Sequence, residues 1–249
     1  MSLQSKLIHW LVDYSKIGNF KFVIGVSGGI DSAVVSTLCA MTGIDTYVVT
    51  LPLQQKSEQL DIARKHIAHL TTNFTNVTAN EIDLTDAFLA LKNTLSDYDN
   101  DLGWANSKAR LRMVTLYQLA TYVGGIVVGT GNKVEDFGVG FFTKYGDGGV
   151  DISPIADLTK TEVRSLAKEL GVIEDIIIAK PTDGLWDDDR TDEEQIGASY
   201  EELEWVMAYE GDVELLKGRE KVVHEIYTGF NSRNKHKMVE IPMFINDGS

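Results

Sequence analysis

The sequence predicts an α/β fold, a doubly wound and mainly parallel sheet, from three observations. Short apolar, β-branched runs alternate with segments of helical periodicity. Two of those runs end in glycine-rich turns, at Ser27-Gly28-Gly29 and at Gly129-Thr130-Gly131. No internal repeat or low-complexity linker interrupts the 249 residues, of which 43% are hydrophobic. That apolar content can fill one sizeable core, so a single domain over residues 1–249 is expected.

Taken in order, Leu3, Leu7, Ile8, Leu11 and Val12 recur at helical spacing and predict an amphipathic helix over 3–17. Residues 20–26 read as a strand and 30–41 as an apolar helix stopped by Gly43. A strand over 45–51, a helix over 57–70, a strand over 76–83 and a helix after Thr85 follow. A long helix over 104–123 leads to a strand over 125–129. Residues 141–155 are glycine-rich without helical period and read as an ordered binding loop. Thr159-Lys160-Thr161-Glu162 has the spacing of a capping box, and Gly171 is placed to stop the helix it opens. Residues 182–195 read as a polar, acidic loop around Trp186, and the rest as helical to about Phe230, then a basic tail, 233–237.

Composition excludes some functions. Acidic residues outnumber basic ones 37 to 23, a formal net charge of -14. A duplex-binding protein needs a basic stripe, so no nucleic acid partner is expected. The single cysteine, Cys39, permits no intramolecular disulfide and sits among apolar helix residues, which points to the core. Neither a secretory leader nor a membrane-length apolar run is present, so no membrane partner and a cytoplasmic location are expected.

The turn after the first strand carries the chemistry. In Ser27-Gly28-Gly29-Ile30-Asp31-Ser32 the glycines let the backbone turn sharply and approach a phosphate. The following helix aims its free N–H groups and positive dipole end at that phosphate. Ser27 and Ser32 add hydroxyls, and Asp31 can hold Mg2+, a hard cation that prefers oxygen. The loop lacks both the Gly-Lys-Ser/Thr ending of a Walker motif and the spacing of a dinucleotide fingerprint. In an open parallel sheet ligands bind beyond the carboxyl ends of the strands, where both glycine turns are expected to lie.

Ser27 to Ser32 resembles the pyrophosphate loop of the N-type ATP pyrophosphatases, which cleave ATP between the α- and β-phosphates and adenylylate a carboxyl or carbonyl oxygen. Four further stretches resemble one member family, the ammonia-dependent NAD synthetases: 108–113, 129–133, the run Phe142-Thr143-Lys144-Tyr145-Gly146-Asp147-Gly148-Gly149, and Lys180-Pro181-Thr182 with Gly184-Leu185-Trp186. The resemblance implies an adenine-nucleotide α-hydrolase-like fold, a homodimer, and amidation of deamido-NAD by ammonia through an NAD-adenylate. It implies that Gly25, Val26, Ser27, Gly28, Gly29, Ile30, Asp31, Ser32, Thr130, Lys160 and Thr182 contact ATP. Arg110, Lys144, Asp151, His236 and Lys237 would contact deamido-NAD; Asp31 and Glu135 would hold Mg2+, with Asp31 and Lys160 catalytic. Lys144 lies nine residues after Glu135, one more than in most members, so a residue is inserted near Asp136-Phe137-Gly138. That makes Asp136 a rival metal ligand, although Glu135 keeps the expected spacing from Thr130.

Plainer readings stand beside these. Lys160, second in a capping box, is by default a solvent-facing lysine, and Asp187-Asp188-Asp189 a solvated acidic turn. His66 and His69 lie three apart on a helix but have no third ligand at metal-site spacing, so both read as surface residues. Sulfur transfer to tRNA would call for catalytic cysteines and a basic surface, which are absent. A GMP synthetase would need a dimerisation domain and a glutamine-hydrolysing unit. A non-catalytic nucleotide sensor would have no use for Asp31, Glu135 and Lys160. Only 26 residues precede Ser27, leaving no room there for an amidase domain, so free ammonia is the expected donor.

Overall fold

The computed structural model describes residues 1–54, 57–179 and 191–246. Helix α1 (Leu3–Gly18) starts where the Ser2 hydroxyl accepts the Ser5 N–H and stops at Asn19 in left-handed conformation. Then come β1 (Lys21–Gly25), α2 (Ile30–Met41), β2 (Thr46–Thr50), α3 (Ser57–Asn73), β3 (Val77–Glu81), α4 (Thr85–Thr94), α5 (Asp101–Val123) and β4 (Gly125–Val127). The expected elements all form, because their stop signals are local. Asn100 caps α5 by accepting the Gly103 N–H, and Gly124 ends it at φ 70°.

The four strands are parallel in the order β3-β2-β1-β4. The chain steps outward from β1 through β2 to β3, then returns to place β4 on the other side of β1. The switch in direction falls between β1 and β4, where a doubly wound sheet opens its ligand crevice. Alternate side chains feed two layers. Phe22 and Ile24 face Val34 and Leu38 of α2, while Val23 and Val49 face Phe88 of α4 and Trp104 of α5.

After β4 comes a π-helical turn, Lys133–Val139, followed by α6 (Lys160–Glu169), α7 (Glu174–Ile177), α8 (Asp192–Ile196), α9 (Tyr200–Met207) and α10 (Gly218–Met238). The capping box at Thr159 and Glu162 forms as expected. Two expected loops are corrected. The basic segment 233–237 is no tail but the last turn of α10, where Lys235, His236 and Lys237 lie at the negative end of the helix dipole. The acidic segment 182–195 turns helical at Asp192 behind a Thr191 cap, and 182–190 lie outside the described residues.

A π turn accommodates an extra residue by longer-range bonding, here Gly140 N–H to the Glu135 carbonyl. This is where the sequence placed an inserted residue. The carbonyls at its exit are taken up from α10: Asn231 donates to Gly138, Asn234 to Val139, and Lys237 to Gly140 and Phe142. The donors recur every three residues, so a single helix face serves the whole exit.

His66 corrects a surface reading: it is 0% exposed, between α3 and α2. Ser36 donates its hydroxyl to the Ala33 carbonyl, so the imidazole Nε2, 3.0 Å from Ser36 Oγ, is the donor between them. His69 is half-buried and Cys39 fully buried. Burial, with help from the His69 charge, depresses the His66 pKa from 6.5 to about 4. The unfolded chain therefore takes up a proton first as pH falls. Stability is fully present above pH 6.5 and drops by about 3 kcal/mol on the way down to about pH 4. Urea unfolding of His66→Gln should show a flatter slope across that window than wild type.

Candidate functional site

The phosphate loop leads into a helix whose N-terminus has no side-chain cap. Gly29, the cap residue of α2, supplies no side-chain acceptor, so the first-turn N–H groups carry no side-chain cap. Gly28 sits at φ 91°, and a Cβ there would come 2.8 Å from the Gln59 carbonyl of α3. Only glycine lets α3 back the turn this closely. Ser32 organises the loop from inside, donating to the Gly29 carbonyl and accepting the Ser27 N–H. Ser27 Oγ lies 3.2 Å from Ser32 Oγ and accepts the Gly29 N–H. Gly25 and the buried Val26 lead into the loop, and Ile30 opens α2.

The second turn lies alongside, at the end of β4. Gly129 N–H donates to the Ile152 carbonyl, and Thr130 follows, half-buried. Asn132, fully buried, accepts the Val134 and Glu135 N–H groups and reaches Asp31 Oδ1 at 3.4 Å. One buried amide thus joins the phosphate-loop aspartate to the π turn.

Between the two turns lies an ammonium ion supplied by the chain. Lys160, 2% exposed at the start of α6, donates at 2.6 Å to Asp31 Oδ2 and at 2.8 Å to Glu135 Oε1. Two carboxylates buried together need a cation between them. Burial acts to lower the lysine pKa, but Asp31 and Glu135 outweigh it and raise it. Asp31 is pushed up, chiefly by burial. Glu135 is also raised by burial, but Lys160, Tyr200 and Asn132 reverse this and hold it ionised. Tyr200, the first residue of α9, donates to Glu135 Oε1 at 2.6 Å, and Lys160 sits 4.9 Å above its ring.

Asp136, the rival ligand, lies against Gly131 of the second turn. Its Oδ2 lies 1.9 Å from where a Cβ on Gly131 would be, so its carboxyl fills space that the glycine leaves open. Burial, with the charges of Glu135, Asp147 and Asp31, lifts its pKa to about 8. The side chain that shares a cation with Asp31 is Glu135.

A second, cationic group gathers around the 140–149 loop. Arg110 donates to the Lys144 carbonyl, Lys144 to the His236 carbonyl at 2.6 Å, and Lys237 binds two carbonyls of the same loop. The loop is an ordered turn: Thr143 donates its N–H to Asp147 and its hydroxyl to Asn106. The structure thus brings together Arg110, Lys144, His236 and Lys237. Asp151 is instead engaged with the sheet, accepting the Val127 N–H and the Tyr117 hydroxyl. Thr182 lies outside the described residues. Sequence reading missed Tyr200 and gave Asn132 no role. The asparagine had a local signal, its capping position before Val134, whereas nothing near Tyr200 marks a residue that reaches back to Glu135.

The model of the NAD synthase family matches residues 3–240. The chain belongs to the NAD synthase family. Among curated members, the NH(3)-dependent NAD(+) synthetase of Carboxydothermus hydrogenoformans is 36% identical over 241 residues, 96% of each chain. That of Mycoplasmopsis pulmonis is 43% identical over 200 residues, 80% of this chain and 75% of the relative. Among solved structures, the NMN synthetase from Francisella tularensis superposes with TM-score 0.86 at 32% identity, covering 98% of this chain and 97% of that one. The NAD+ synthetase from Burkholderia pseudomallei gives TM-score 0.71 at 27% identity, covering 94% and 88%. The resemblance seen in the phosphate loop and the Phe142–Gly149 run is thus a family relationship. In NAD synthase terms, the two glycine turns of one sheet edge flank one site.

Gly28→Ala tests how closely the loop depends on its backing helix. The left-handed φ and the contact with Gln59 should cost about 1–3 kcal/mol of stability. Thermal melts and ATP titrations should show both a lower midpoint and a higher KM for ATP, with KM for the second substrate little changed.

Proposed function

We propose that the chain amidates deamido-NAD to NAD with ammonia and ATP, through an NAD-adenylate, releasing AMP and pyrophosphate. The observation that carries this reading is the convergence of Asp31, Glu135 and the buried Lys160 ammonium beside an uncapped helix N-terminus. In the first step the nicotinate carboxylate attacks the α-phosphorus and the bond to the β-phosphate oxygen breaks. Charge accumulates on the departing pyrophosphate, which the first-turn N–H groups of α2 and the Lys160 ammonium would receive. In the second step ammonia attacks the acyl carbon, the C–N bond forms, the C–O bond to AMP breaks, and the nitrogen loses a proton.

Asp31 and Glu135 are a hard-oxygen pair already gathered around a cation, which suits Mg2+. Among the described residues no group of three or more His, Cys, Asp or Glu side chains is arranged to hold a metal alone. Two carboxylates, with substrate phosphates and water completing the shell, match how Mg2+ is usually held with nucleotides. Bound there, Mg2+ would neutralise phosphate charge during activation. Arg110, Lys144, His236 and Lys237, with Asp151 at the β4 edge, are the groups proposed to meet deamido-NAD. The same reading takes a homodimer as the working unit and the cytoplasm as the location. Exposed apolar side chains at Leu89, Tyr98, Leu102 and Tyr122 offer surface for a second copy. No helix among the described residues is long and apolar enough to cross a membrane.

A second reading, amidation of the mononucleotide counterpart, is favoured by the likeness to an NMN synthetase. The enzyme given ATP, Mg2+, ammonium and either deamido-NAD or nicotinate mononucleotide separates the two. The larger kcat/KM should belong to deamido-NAD; the reverse would establish the mononucleotide enzyme, and neither product would overturn both. Ammonium should support turnover and glutamine alone should not. Asp31→Asn should lower pyrophosphate release by at least about 100-fold, the scale of losing one transition-state charge contact, and leave deamido-NAD binding by calorimetry near wild type.

A further inference from the structure

Tyr200 is among the largest fully buried side chains of the protein, and sequence gave it no role. It is the first residue of α9, with its position set twice. Ser199 caps the helix through a capping box with Glu202, and the Tyr200 N–H donates to Glu193 Oε1 of α8. The ring packs with Val134, Val139, Leu203 and Val206. The hydroxyl emerges from that apolar layer at the site, 2.6 Å from Glu135 Oε1 and 3.2 Å from Asp192 Oδ2. A phenol has one proton to give, and the shorter contact takes it.

We infer that Tyr200 is a positioning residue for the activation step: its hydroxyl fixes the Glu135 carboxylate, and its ring seats the Lys160 ammonium. Glu135 Oε1 accepts both Tyr200 and Lys160, so both groups hold the carboxylate through the same oxygen. The lysine that bridges Glu135 and Asp31 rests against the same ring at 4.9 Å, and Arg164 lies 5.6 Å from it. One side chain thus sets the rotation of the carboxylate and the height of the ammonium beside it. The inference rests on the proposed role of Asp31 and Glu135 as the cation-binding pair.

Tyr200→Phe keeps the ring and its packing and removes only the hydroxyl, a clean deletion of one charge-assisted hydrogen bond. The probe is Mn2+, followed by electron paramagnetic resonance in the full-length enzyme with α,β-methylene-ATP, which cannot be cleaved at the bond in question. The expected result is Mn2+ binding weakened about tenfold, the scale of one such bond. Pyrophosphate release should show a matching rise in the metal concentration for half-activity, with KM for deamido-NAD unchanged. Glu135→Gln and the double variant complete the cycle. If Tyr200 acts through Glu135, the second substitution adds little to the first. Glu135→Gln with wild-type Mn2+ binding would refute the role given to the carboxylate, and the inference with it. Impaired Glu135→Gln beside wild-type Tyr200→Phe would refute the inference alone. A lowered melting temperature in Tyr200→Phe with unaltered Mn2+ binding would show a merely structural tyrosine and overturn it equally.

Discussion

An ammonium ion held between two buried carboxylates is the constraint around which the site is arranged. Asp31 lies in the first turn of the helix after β1, Glu135 lies in the π turn after β4, and Lys160 opens α6. Three segments distant in sequence must meet within hydrogen-bond length, or charge is left in the interior uncompensated. Removing one partner of such a buried group typically costs about 3–5 kcal/mol, far more than a surface pair. The surrounding order follows from that need. Asn132 joins two of the segments, the capping box at Thr159 fixes the start of α6, and Tyr200 closes the remaining side.

The arrangement also shows how a chain of net charge -14 can address anions. Net charge governs long-range repulsion, whereas recognition depends on what lies within a few ångströms. Here the local positive potential comes from backbone N–H groups at α2 and from side chains held by backbone carbonyls of the 140–149 loop and of α10. Lys144 and Lys237 both donate to backbone oxygens rather than to carboxylates. Their charge is oriented without being cancelled. The bulk of the acidic excess can stay on the surface.

What was legible in the sequence was whatever is decided locally. The β1 strand, the Ser-Gly-Gly turn and α2 fall where periodicity and glycine put them, because a strand end, a positive φ and a helix start are each settled within a few residues. The inserted residue before Lys144 could be counted, but not its form, since a π turn is chosen by what meets its exit. That partner is α10, nearly a hundred residues on. His66 looked like surface because its neighbours Arg64, Lys65 and Asp61 are polar, and burial was decided by which face of α3 meets α2. The basic segment 233–237 resembled a tail because apolar periodicity fades there, yet Asn234 and Lys237, with Asn231 just before them, spend their polar groups on carbonyls, a bond that hydrophobic patterning does not record. Tyr200 was invisible for the same reason.

The face of α10 that satisfies the π turn has a consequence for the order in which the molecule can be made. Strands β1 to β4 and the phosphate loop lie within the first 131 residues, and the layer that packs β1 against α2 is completed by apolar residues from Ile152 to Ile176. The carbonyls at Gly138 to Phe142, by contrast, find their donors at 231, 234 and 237. During synthesis the sheet can therefore pack its α2 face only once the chain has been extended through α6 and α7. The centre of the site waits for almost the last helix to leave the ribosome. A chain that stops short of α10 lacks the donors at 231, 234 and 237 that these carbonyls require.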